Sequence, residues 1–236
     1  MSRSSRKCIS SSPLLLVALA AAVLAGLLLP GTAQAQAASA SVTRTYTEAH
    51  GASLSTVQYR TTRDGTTIQL ASLEEDSTEE IRWSPGMGTI AWKVTEPKEG
   101  NDFQARRSGD IIHVTGTLKG RAVDRQVKVD GAPWYQIFGP LMDELLPAGT
   151  GQREFWVVDP SDLVPHKMQV RRVGTERLTI RGAAVDTAKI HFSPAGALAP
   201  FWGADFWYRQ GDGLWVTSRL PEGGAVTVST IEELSP

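Results

Sequence analysis

The 236-residue chain has a single cysteine, Cys8, so everything beyond it is free of thiols. That excludes disulfide staples and thiolate-built metal sites from the bulk of the protein. No Gly-x-Ser-x-Gly elbow, no His-Glu-x-x-His pair and no glycine-rich loop leading from a strand into a helix occurs, which removes the common local signatures of hydrolase, zinc-protease and phosphate-binding chemistry. A block of Lys and Arg is missing too. The basic residues are spread among acidic ones, and no row of phosphates would be neutralised, so nucleic acid is excluded as a partner. No catalytic residue, metal ligand or cofactor is assigned on these grounds.

What is present begins with a leader. Arg3, Arg6 and Lys7 precede an uncharged apolar run from Leu14 to Leu29, and Pro30-Gly31 ends it. This is the layout of a secretory signal peptide. Ala33-Gln34-Ala35 places small side chains two residues apart, which predicts cleavage after Ala35, with Ala37 or Ala38 as the alternative end, and a mature protein that is periplasmic or secreted and does not span the membrane. The run is shorter than the ~20 residues of a spanning helix. Loss of residues 1–35 removes three basic residues and no acidic one, leaving 21 against 25, a net charge of −4. Residues 36–41, rich in Ala, Ser and Gln, read as a flexible start, and 42–236 as one domain, since no linker or fixed repeat follows.

The domain reads as mainly β. Turn residues such as Asp64-Gly65, Ser108-Gly109-Asp110 and Asp212-Gly213 separate segments in which apolar and polar residues alternate, as in Ile90, Trp92, Val94 or Leu214, Val216, Leu220. Period two with frequent turns predicts an antiparallel meander. Expected strands in the second half lie at 152–158, 166–173, 176–182, 184–192, 206–210, 214–220 and 225–232. Between the halves, Trp134, Ile137, Phe138, Leu141 and Leu145 recur at helical spacing, which predicts a helical insert over 133–146, broken at Gly139-Pro140. About seven strands on each side of one insert must curl to hide their apolar face, so a barrel or half-barrel is expected, with the insert filling its mouth.

Candidate site residues follow from that architecture. His50, His113, His166 and His191 show no metal-ligand spacing, and each reads as a surface or locally bonded histidine. Glu74-Glu75-Asp76 and Glu79-Glu80 flank Ser77 and Thr78 but lack the central glycine of a calcium loop, and read as a solvated hairpin connection. The aromatic residues are denser. Phe201, Trp202, Phe206, Trp207 and Tyr208 fall within eight residues, and Trp134, Tyr135 and Phe138 sit in the insert. These rings are either the core of a large barrel or the wall of a cavity, and Trp134, Tyr135, Phe138, Phe201, Trp202, Phe206 and Trp207 are the expected ligand-binding set if the second holds.

Phe155-Trp156-Val157-Val158-Asp159-Pro160 leads into Leu163-Val164-Pro165-His166-Lys167, and Phe206-Trp207-Tyr208 is followed by Asp212-Gly213 and Arg219-Leu220-Pro221. In this pattern, residues 150–233 resemble bacterial exported proteins of a domain of unknown function (number 3108), and more distantly the half-barrels that carry lipoproteins or lipids. The resemblance implies a periplasmic antiparallel barrel with no assigned activity, and it transfers no functional residue. Three functions remain open: an exported carrier of an apolar, lipid-like molecule, an envelope module that binds another protein through a sheet edge, and a hydrolase whose triad spacing does not reveal.

Overall fold

The computed structural model describes residues 40–137, 139–141, 146, 151–222 and 225–234. The leader expected at 1–35, and residues 36–39 of the expected flexible start, lie outside the described residues. Ala38–Pro236 forms one compact unit.

Fourteen strands run in chain order as β1 (Ala40–His50), β2 (Ser53–Asp64), β3 (Thr67–Leu73), β4 (Thr78–Ser84), β5 (Gly88–Glu96), β6 (Asn101–Ser108), β7 (Ile111–Leu118), β8 (Arg121–Lys128), β9 (Gln152–Val158), β10 (Pro165–Ile180), β11 (Ala183–Pro194), β12 (Ala204–Arg209), β13 (Trp215–Glu222) and β14 (Ala225–Ile231). All belong to one antiparallel sheet, ordered β8 to β1 and then β14 to β9. Two meanders are thus joined along β1 and β14, where Tyr46 pairs with Ile231 and His50 with Thr227. β8 and β9 end the order without pairing, so the sheet is not closed. Its two ends nevertheless come together. Arg125 of β8 donates to the Asp162 carbonyl beyond β9 at 2.8 Å. Asp130, just past β8, accepts from the Trp156 indole at 2.7 Å and from Lys167 of β10 at 2.5 Å.

The alternation sorts side chains as expected of a curled sheet with one buried face. Tyr46, Val57, Ile68, Leu70, Ile81, Trp83, Trp92, Val94, Phe103, Ile112 and Val114 fill the concave side of the first meander, and Phe155, Val170, Ile190, Phe192 and Phe206 that of the second, all buried. Rings join the halves at Tyr46 and Trp215, and pack within the second meander and against the segment at 133–137. Tyr46 stacks on Trp215 at 4.2 Å, Phe206 stacks on Phe192 at 4.8 Å, and Phe155 meets Tyr135 edge-on at 5.8 Å.

The helical insert expected at 133–146 is not supported where its residues are described; residues 138 and 142–145 of it lie outside the described residues. Among the described residues there is no α-helix, only two short 3-10 turns at Pro97–Glu99 and Gly196–Phe201. Residues 133–137 instead run extended as a strap between β5 and β9, with Trp134 bridged in parallel to both Gly88 and Trp156. The backbone groups that a helix would use on itself go to the sheet: Thr89 N–H donates to the Trp134 carbonyl at 2.6 Å, Tyr135 N–H to Trp156 at 2.8 Å, and Trp156 N–H to Pro133 at 2.8 Å. Trp134 and Tyr135 then point into the core on opposite sides of the strap and are fully buried. Helical spacing reported a segment buried all round, and two-sided burial in an extended strap satisfies the same pattern. Gly88 is required here, because at φ +77° a side-chain carbon would lie 2.1 Å from the Trp134 oxygen.

A second difference concerns β10. The strands expected at 166–173 and 176–182 are one strand of 16 residues, irregular between Arg172 and Gly174 where its register on β11 shifts. A bulge bends a strand without ending it.

Candidate functional site

Two inward rows cross the joined meanders. Phe206, Ser218, Ser229 and Glu48 lie side by side on β12, β13, β14 and β1. Tyr59, Ser72 and Glu79 do the same on β2, β3 and β4, ending at Val94 of β5. Between these rows and the strap is a cavity of about 470 Å³. Phe206, Trp215, Ile137 and Leu220 give it an apolar wall, and Glu48, Glu74, Glu79, Gln136, Ser218 and Ser229 a polar one. Glu74 and His166 also line it and are exposed, so they mark its rim.

The polar wall is set by sheet pairing and by the strap. Gln136 is buried and bonded three ways: its carbonyl oxygen accepts from the Trp134 indole at 2.8 Å and from Val158 N–H at 3.2 Å, and its amide donates to the Val158 carbonyl at 2.7 Å. Ser229 donates to Glu48 at 2.8 Å. Glu79 accepts from the Trp92 indole at 2.6 Å. Loss of water pushes the Glu79 carboxyl up to about 8, against the lowering effect of the Trp92 bond, and the Glu96 and Glu74 carboxylates raise it further. Glu74 is raised as well, first by partial loss of water and then by Glu48 and Glu96. Burial, followed by Glu48 and Glu79, drives the Tyr59 hydroxyl far above its ordinary range. The Ser218 hydroxyl is fully buried, lines the cavity and has no hydrogen-bond partner among the described residues.

The seven aromatic residues expected to bind a ligand are dispersed. Phe206 lines the cavity. Trp134 and Tyr135 pack beneath it in the core, Trp134 meeting Trp92 edge-on at 6.1 Å. Trp202 is half-buried and donates from its indole to the Pro221 carbonyl at 3.0 Å. Trp207 faces the other side of the sheet, where its indole donates to Glu176 and the Lys189 ammonium sits 4.8 Å over its ring. Phe201 is 82% exposed. Phe138 lies outside the described residues. Glu74 and Glu79 belong to the stretch expected to be a solvated hairpin connection, yet the sequence carries a signal against that for Glu79, which is in phase with Ile81 and Trp83, and Glu48, in phase with Tyr46, faces the core likewise.

The remaining titratable clusters are outward. His113 pairs with Asp124 at 2.6 Å, and His191 with Asp205 at 2.7 Å beside Lys189. Among the described residues, no serine is hydrogen-bonded to either ring, and no group of three His, Cys, Asp or Glu side chains is close enough to hold a metal ion. No helix among the described residues is long and apolar enough to cross a membrane.

No family model matches the chain, and no curated protein does. Among solved structures it is similar to a β-barrel-like protein of domain of unknown function DUF1849 from Brucella abortus, with 8% identity and a TM-score of 0.52 over 81% of this chain and 95% of that one. It is also similar to the hypothetical lipoprotein YmcC of Escherichia coli, at 14% identity and a TM-score of 0.34 over 81% and 84% of the two chains. A LolA superfamily protein from Nitrosomonas europaea matches at 9% identity and a TM-score of 0.30, over 83% and 84%. Of these three, the Brucella likeness carries the fold: a β-barrel-like architecture is what the two proteins share.

Proposed function

We propose that this chain is an exported, non-catalytic binding or carrier protein for a small molecule with an apolar, lipid-like body. The observation that carries the reading is the cavity on the concave face, whose volume of about 470 Å³ falls in the range of about 300–1,000 Å³ usual for small-molecule sites. Its apolar wall of Phe206, Trp215, Ile137 and Leu220 would take the body of such a ligand. Export rests on the leader at 1–35, and the resemblance of residues 150–233 to the number-3108 domain fits the same reading.

Trp215 stands in the wall, so titration with single-chain amphiphiles should change tryptophan fluorescence and saturate. Mass spectrometry of the purified protein should find a lipid-like molecule bound. A chain that co-purifies empty and gives no saturable change with any amphiphile would overturn the proposal.

A protein-binding module is the weaker reading. Its best surface is the free edge of β8, but that strand carries Arg121, Arg125 and Lys128, and charges along an edge oppose strand addition.

A further inference from the structure

The cavity described above, taken as the ligand site, is acidic without compensation. Four carboxylates line it, Glu48, Glu74, Glu79 and Asp159, and among the described lining residues there is no Lys or Arg. Half-buried carboxylates normally gather cations from their own chain, as Asp205 gathers Lys189 elsewhere in this sheet. Inside the cavity the chain offers none. A second, independent observation points the same way. The fully buried Ser218 hydroxyl opens on this space and lacks a partner among the described residues, and buried hydroxyls are ordinarily bonded.

From these groups we infer that the ligand carries a cationic head, an organic ammonium, held by Glu48 with an N–H also reaching Ser218 of the same row, while its apolar body lies on Phe206 and Trp215. The inference rests on the carrier reading above and specifies the ligand class of that same site. A simple metal ion fits less well. β2 and β3 separate the strands of Glu48 and Glu79, about 14 Å of sheet, and no three potential ligands converge among the described residues. An ammonium needs no such convergence, since one carboxylate and one hydroxyl on the same row, Glu48 and Ser218, can accept from two of its three donors. The rings beside the carboxylates add attraction for a cation through their faces. Glu79, across the cavity, is raised to about 8 first by loss of water and then by Glu96 and Glu74, so at pH 7 it stands there mostly as a neutral acid.

Three probes with the same twelve-carbon chain test this: dodecylamine, dodecanol and dodecanoate, each titrated below its micellar concentration at pH 7 into the purified chain and followed by tryptophan fluorescence and calorimetry. The inference expects dodecylamine to bind roughly tenfold or more tighter than dodecanol, as a charge-assisted hydrogen bond would give, and dodecanoate to bind weakest. Glu48→Gln should collapse the ratio of amine to alcohol affinity toward one, whereas Glu79→Gln, which at pH 7 replaces a mostly protonated acid, should leave most of it. Gln keeps the shape and, at position 79, an acceptor for Trp92. Ser218→Ala, which removes no charge, should reduce the ratio by a smaller factor. Equal affinity for amine and alcohol, or a ratio that survives Glu48→Gln, overturns the cationic head and leaves the carrier reading standing. Failure of all three probes to bind overturns both.

Discussion

The strap at 133–137 and the aromatic run at 201–208 are the two places where rings crowd in the sequence, and the fold uses them in opposite ways. In the strap the rings serve a single purpose. Trp134 and Tyr135 are both fully buried, and the backbone between them is bonded to β5 on one side and β9 on the other. In the run the rings are divided. Phe206 and Tyr208 point into the core, Trp207 to the opposite face under Lys189, and Phe201 to solvent. A strand alternates its side chains between faces, so adjacent aromatics on it cannot share an environment. A segment buried all round imposes no such division. Aromatic density therefore marks where burial is at stake, and only the backbone path decides which rings share it.

The sharpest way to break this contrast is at the strap. Trp134→Ala removes a ring buried against Trp92 and the indole bond to Gln136, and should cost about 3–5 kcal/mol in chemical denaturation. Gly88→Ala should follow at about 3 kcal/mol, since the new carbon meets the Trp134 carbonyl and the position holds a positive φ. A cost below about 1 kcal/mol would mean that the strap is not pinned as described.

A smaller effect lies in Glu79, bonded to the Trp92 indole beside the strap. Its carboxyl is raised to about 8 in the folded chain from 4.5. Between those values the folded state keeps a proton that the unfolded state has lost. Its contribution to stability is thus full at acid pH and falls as pH rises toward 8. Glu79→Gln should flatten that part of the pH–stability curve, measured as the difference between wild type and variant. The smallest effect belongs to the exposed end of the aromatic run: Phe201→Ser should change stability by no more than about 0.5 kcal/mol, and a larger loss in thermal melting would show that Phe201 is covered by something.

Much of the sheet was legible because alternation is a local property. Ile112 and Val114, or Val123 and Val127, declare a face without reference to any other strand, and the Asp-Gly turns set where each strand ends. Local reading erred where a local cue was overruled from afar. Gly174 within β10 looks like a turn, but the bulge against β11 carries the strand through it. The strap looks helical because Trp134, Ile137 and Leu141 recur at that spacing, but its backbone partners lie at Thr89 and Trp156. The acidic stretch at 74–80 shows both outcomes. Glu74 N–H bonds the Ser77 carbonyl in a tight turn, as a hairpin connection should, while Glu79, two residues beyond, faces inward.

The sequence by itself determined the periodicity, and with it a mainly β protein built from short antiparallel strands with one buried face. Tertiary structure decided everything that needs two distant segments at once: that the sheet stays open between β8 and β9, that an extended strap bridges its interior, and that Glu48, Glu79 and Ser218 line one cavity with Phe206. The reason is physical. A strand's pattern is fixed by its own pleat, but a cavity is defined by what stands opposite, and residues as far apart as Glu48 and Ser229 become neighbours only when β1 pairs with β14.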